Sequence, residues 1–154
     1  ALGLSAKETA RVLGLAMMLS AGASLFAQGI VVQRLQLAPF DLLRFAIPLL
    51  IISFTIMALF QTQLMLTLAM ALQGFAMGMA GPAFMAGASL AVSTEEQGSV
   101  AGIASSCGPL GFTVGPILGG LLYQINPVLP YVFAATVYII LMLSMGRLRQ
   151  TITS

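Results

Sequence analysis

The sequence predicts an all-α integral membrane protein with five transmembrane helices, and three observations carry that reading. Its 154 residues include only six Lys or Arg and four Asp or Glu, 6% of the chain, against roughly 25% in a soluble globular domain. Hydrophobic residues make up 59% and the mean hydropathy is +1.04, so a water-soluble fold would lack the polar surface to cover itself. The charges are also confined to Lys7, Glu8, Arg11, Arg34, Asp41, Arg44, Glu95, Glu96, Arg147 and Arg149, which leaves charge-free runs over 12–33, 45–94 and 97–146. A helix crosses a hydrocarbon core about 30 Å thick with about 20 apolar residues, so the first run holds one span and each longer run holds two.

The spans expected on this basis are about 12–33, 44–60, 64–92, 99–123 and 130–146. Ahead of the first, Ser5-Ala6-Lys7-Glu8 has the spacing of a capping box, in which Ser caps a helix start and Glu reaches back to it, so a helix is expected to begin near Ala6. The first span ends in Gln33-Arg34. A loop follows through Leu37-Ala38-Pro39, where proline lacks the N–H that a helix interior needs, and Asp41 is expected to cap the second helix. That helix carries Pro48, expected in its first turns where a missing donor costs least. Gln61-Thr62-Gln63 reads as a tight polar turn.

The third span contains Gly74, Gly78, Gly81, Pro82 and Gly87, tolerated in a membrane helix because neighbouring helices satisfy the backbone. Ser93-Thr94-Glu95-Glu96-Gln97-Gly98 is an exposed connection with a second S-x-x-E spacing at Ser93 and Glu96. Asn126, Pro127 and Pro130 are expected to break the chain between the fourth and fifth spans. With five spans, Arg34, Arg44, Arg147 and Arg149 fall on one side and Lys7 and Arg11 on the other, and this bias puts the C-terminus and the Glu95-Glu96 loop in the cytoplasm.

Several function classes are excluded by what the sequence lacks. There is no His and a single Cys, Cys107, so imidazole acid–base chemistry, a thiolate metal cluster and an internal disulfide are ruled out, and neither metal nor cofactor is expected. No nucleophile and base occur together, so the protein is read as a non-enzyme. The net charge of +2 reflects membrane edges, without the basic patch of a nucleic-acid binder. No cleavable signal peptide is recognisable, and a first residue of Ala1 instead of Met reads as part of a longer protein.

The fourth span is unusual in its small residues. Gly111, Gly115 and Gly119 recur at i+4 and form a smooth stripe against which a second helix can approach closely, while Pro109 and Pro116 bend the span. Two readings fit the stripe: ordinary small-residue packing, or a hinge in a moving helix pair.

Gly111-Phe-Thr-Val-Gly115-Pro116-Ile-Leu-Gly119-Gly120 reads G-x-x-x-G-P-x-x-G-G and resembles the antiporter motif of the major facilitator superfamily in its drug-efflux branches. Gln73-Gly74 and Pro82 resemble the family's fourth-helix pattern R-x-x-Q-G…P, but its Arg position is Met70. The first loop, Arg34 to Arg44, lacks the Asp-Arg-x-Gly-Arg pattern expected between the second and third helices. Both departures favour the C-terminal half. The motif occurs in both halves of the family, so the resemblance implies helices eight to twelve, most of one six-helix half of a major-facilitator-type bundle, with the corresponding N-terminal helices as the alternative.

Polar residues within spans are the candidates for a cavity wall, because such groups are costly in lipid and face protein or water. Met17, Ser20 or Ala21, Ser24 and Gln28 share one face of the first span; Met70, Gln73, Met77 and Phe84 share one face of the third. Ser105 and its neighbour Ser106 precede the glycine stripe and are placed to return hydrogen bonds to their own helix. Ser24, Gln28, Gln73, Met77 and Ser105 are the substrate-cavity candidates, and methionine suits an adaptable pocket. Interhelical hydrogen bonding worth about 1 kcal/mol or less explains the same serines and glutamines without a substrate.

No Asp, Glu, Lys or Arg lies deep in a span, so the coupling group of a proton-driven carrier is expected in helices outside this stretch. The resemblance implies antiport: efflux of amphipathic small molecules across the plasma membrane by alternating access. A metabolite uptake carrier and a non-transporting Gly-rich assembly subunit remain as alternatives. The expected partners are the lipid bilayer, the remaining transporter helices and a small-molecule substrate.

Overall fold

A computed structural model describes residues 5–35, 37–60 and 62–153, and the regular elements among them are all helices. Gln61 of the expected polar turn, and the side chains of Arg147 and Arg149, lie outside what is described. Helix α1 is α-helical over Ala6–Phe26, π-helical over Ala27–Val32 and α-helical again over Gln33–Leu35. It is followed by α2 (Pro39–Leu59), α3 (Gln63–Leu90), α4 (Gln97–Ile125) and α5 (Leu129–Thr153). All five are long and apolar enough to cross a membrane, and no strand occurs among the described residues.

Local chemistry fixes the helix starts. At α1 the capping box forms: the Glu8 amide donates to Ser5 Oγ at 3.3 Å, and the Ser5 amide donates back to the Glu8 carboxylate at 2.9 Å. Asp41 does not cap α2. Proline at the first helical position, Pro39, starts that helix behind an Ala38 N-cap without a side-chain hydrogen bond, because its fixed φ already suits the helix. Asp41 is left in the first turn, where its charge complements the helix dipole. The earlier start also puts Pro48 inside the helix and not in its first turns.

The Ser93–Glu96 pair makes no capping box either. Ser93 Oγ donates to the Glu96 carboxylate at 2.9 Å, but α4 begins at Gln97 with Glu96 itself as an N-cap lacking a side-chain bond. Helix α3 is capped by Thr62, whose hydroxyl accepts from the Met65 amide at 3.4 Å. Between α4 and α5 the break falls at Asn126, which caps α4 and accepts the Val128 amide at 2.9 Å. Pro130 lies inside the first turn of α5 and does not interrupt it, since the amide it lacks would have had no partner there.

Helix α3 is the centre of the bundle. It packs along α1 and along α2 and touches α4, while α5 packs mainly on α2. The α2 stripe Leu42, Ala46, Ile47, Leu50, Ser53 and Met57 is buried, and Ala27 of α1, Ala46 of α2 and Met79 of α3 form the core where three helices meet. Ser53 is fully buried, and its hydroxyl donates to the Ala69 carbonyl oxygen of α3 at 2.7 Å. On the outer side of α2, Phe54 stacks on Tyr138 of α5 at 5.8 Å between ring centroids.

The closest approach is between α1 and α3. A Cβ placed on Gly74 would collide with the backbone and hydroxyl of Ser20, and one placed on Gly78 would lie 2.5 Å from the Ser24 carbonyl oxygen. Ser20 and Ser24 on one helix and Gly74 and Gly78 on the other are both small-x-x-x-small pairs, which let backbones meet where lipid offers no hydrophobic driving force. Gly74→Val is therefore expected to cost about 1–3 kcal/mol through forced helix separation, read as a lower thermal midpoint in detergent. Gly81→Ala, where nothing lies within 4 Å of the added Cβ, should not lower it, since alanine favours the helix more than glycine. Ser53→Ala should cost about 0.6 kcal/mol, the average for a membrane interhelical hydrogen bond, because the Ala69 carbonyl keeps its own helical partner; an unchanged midpoint would remove that role from Ser53.

Candidate functional site

The α1–α3 seam places the candidate wall residues. Both helices run in the same direction, and Ser20 against Gly74 with Ser24 against Gly78 fixes their register. With about 100° between successive residues, the two flanks of the seam then differ in chemistry. One flank is aromatic: Phe26 and Phe75 pair across it with centroids 6.4 Å apart. The opposite flank carries Met17, Ser24 and Gln28 from α1 and Met70, Gln73 and Met77 from α3, followed by Phe84 further along α3.

The candidates differ in how far they are covered. Ser24 and Gln73 are half-buried beside the seam, whereas Gln28 is exposed and Met77 is 47% exposed. Gln28 Nε2 donates to Ser24 Oγ at 3.2 Å, so these two side chains form one polar unit with the Gln28 carbonyl still free to accept. Ser105 does not join this group. It lies on α4, exposed, and its hydroxyl donates to the Gly102 carbonyl at 2.9 Å, as does that of Ser106 at 2.8 Å.

The glycine stripe is on an uncovered face. Nothing lies within 4 Å of a Cβ placed on Gly111, Gly115, Gly119 or Gly120, and Pro116 beside them is exposed. Ala104 is the single buried residue among those described in α4. Reading the sequence attached close packing to these glycines and missed it at Gly74 and Gly78, although G-x-x-x-G at 74–78 facing S-x-x-x-S at 20–24 was the available signal. Ser53 was missed too; a lone hydroxyl in an apolar helix was its only mark.

Chemically the seam's polar flank is neutral. It offers amide donors and acceptors, a hydroxyl and three thioethers, and it holds no group that takes up or releases a proton near neutral pH. The described charged side chains, Lys7, Glu8, Arg11, Arg34, Asp41, Arg44, Glu95 and Glu96, all sit at helix ends or in the connections. Among the described residues no cluster of His, Cys, Asp or Glu is arranged to hold a metal ion. Such a surface presents shape and hydrogen-bonding groups to whatever lies against it.

Comparison with protein-family models matches residues 1–151 to the Major Facilitator Superfamily. No curated protein and no solved structure matches the chain. A match over nearly the whole length, on five helices built to cross a membrane, shows that this chain belongs to the Major Facilitator Superfamily and is a multi-pass membrane transporter protein.

Proposed function

We propose that the chain forms helices eight to twelve of a twelve-helix transporter and exports amphipathic small molecules from the cell by proton-coupled alternating access. The observation that carries this reading is the polar flank of the α1–α3 seam, where Ser24, Gln28, Gln73 and Met77 share one side. A wall of amides, thioethers and a nearby Phe84 suits ligands of mixed polarity and variable shape. The G-x-x-x-G-P-x-x-G-G pattern of 111–120 and the departures at Met70 and in the first loop supply the antiport direction and the C-terminal assignment. The Lys/Arg bias across the spans supports a C-terminus in the cytoplasm, and the resemblance to drug-efflux carriers supports the plasma membrane.

Because the flank is neutral, the proton carrier belongs on helices beyond these five. The coding sequence upstream of Ala1 tests this directly. It should hold the remaining spans of the bundle, one with a membrane-embedded Asp, Glu or Arg, and an initiator Met immediately before Ala1 would sink the assignment.

Gln73→Ala should change which cations are exported, with ethidium and tetraphenylphosphonium as probes, while membrane abundance stays constant. Loss of one hydrogen bond of about 1 kcal/mol corresponds to about a fivefold change for compounds that use it; identical export of both probes would count against the cavity. Gly115→Leu should abolish transport, because a leucine on the stripe holds off any helix that closes over it. A fully active Gly115→Leu protein would remove both the packing and the hinge role of the stripe.

A further inference from the structure

The described part of α1 contains a six-residue π-helical segment, Ala27–Val32, that no proline explains, since none occurs between Ala6 and Leu35. Its borders show the change of winding. The Ala27 amide is shared between the carbonyls of Ala23 and Ser24, and the Gln33 amide bonds back to Ile30. A π segment holds its turn with i→i+5 bonds, so it accommodates an extra residue relative to an α-helix; such segments are rare and frequently lie at functional sites.

What lies on either side gives the segment a mechanical meaning. On the N-terminal side α1 cannot rotate: Ser20 and Ser24 are in backbone contact with Gly74 and Gly78, and Ala27 is fully buried against Ala46 and Met79. On the far side only Gln33–Leu35 follow before the connection to Pro39. Val31 and Val32 both pack on the core cluster, a pairing that the wider winding permits because successive core positions after Ala27 are then separated by more than one α-turn. Gly29, Ile30, Val31 and Val32 also favour the α-helix least of any stretch in α1, being a glycine followed by three β-branched residues.

We infer that Ala27–Val32 is a register switch, able to pass between π and α winding while the rest of α1 stays clamped to α3. Conversion to α winding shifts the chain beyond it by one residue, which turns the Arg34 end by about 100° and moves it by about 1.5 Å along the axis. The rotation accumulates along the segment, so Gln28 at its start moves little and Arg34 moves most. The bundle thereby gains a gate-like motion at one membrane face without breaking the α1–α3 seam. This inference needs no particular substrate or direction of transport.

The test is a distance measurement on the whole protein in lipid nanodiscs. Spin labels are placed at Arg34→Cys and Thr94→Cys, both exposed, in a Cys107→Ser background. Two populations separated by several ångströms are expected. Deleting Ile30 should collapse them to one. Should that deletion fail to fold, Gly29→Ala with Ile30→Leu keeps the length and changes two exposed side chains, and the helix-propensity gain should shift the ratio of the two populations about fivefold toward the α register. A single distribution that Gly29→Ala with Ile30→Leu leaves in place overturns the switch, and so does an Ile30 deletion that folds and retains both populations.

Discussion

The architecture depends on one contact, the meeting of α1 and α3 through Ser20, Ser24, Gly74 and Gly78. Inside a bilayer, burying a leucine against another helix gains little over leaving it in lipid, so attraction comes from the number of atoms brought within dispersion range and from hydrogen bonds. Glycine maximises that number by letting backbone meet backbone. Once α1 and α3 are joined at this distance, their register is fixed, and so is the side to which each remaining residue points. The aromatic pair Phe26–Phe75 falls on one flank and the amides Gln28 and Gln73 on the other as a consequence of two glycines. The neighbouring contacts then lock α3 from the opposite side, with Ser53 bonded to the Ala69 carbonyl and small Ala76 and Ala83 buried toward α2.

Much of this was legible in the sequence, for physical reasons that also explain the rest. Charges are too costly in hydrocarbon to appear within it, so their positions alone gave five helices and the approximate turns between them. The Ser5–Glu8 box was legible because both partners lie within one turn of the same helix. Asp41, Pro130 and the Ser93–Glu96 pair misled because each motif has two structural solutions: a proline stops a helix or starts one, and Ser with Glu three residues on closes a turn as readily as a cap. In each case the neighbouring backbone decided, through Pro39 at the start of α2 and Leu129 at the start of α5.

The glycines illustrate a different limit. Small-residue spacing says that a close approach is permitted, but not which helix makes it. The same spacing occurs at 74–78 and at 111–119, yet only the first meets a partner among the described residues. What distinguishes them is the partner's own pattern, Ser20 and Ser24 at matching intervals on α1, and that pairing becomes visible only when two helices are considered together. The π winding of Ala27–Val32 was invisible for a related reason. Its sequence merely weakens α preference, and the choice between windings is made by the burial of Ala27, Val31 and Val32 on the same core.

These contacts also divide the molecule into parts of unequal rigidity. Helix α3 is held on two sides by backbone-close packing and a buried hydrogen bond, whereas α4 buries only Ala104 among its described residues and turns Phe112, 85% exposed, outward beside its glycines. A leucine-rich helix loses little by facing lipid, because acyl chains fill the gaps between its side chains. A glycine stripe offers lipid a shallow groove with few atoms to contact, and gains most from a rigid surface of complementary shape. The face of α4 is thus the part of this bundle whose energy depends most on what lies against it. With a neutral wall along the α1–α3 seam and the described charges held at the helix ends, the described part of α4 is held by packing, with no charged side chain between Gln97 and Ile125.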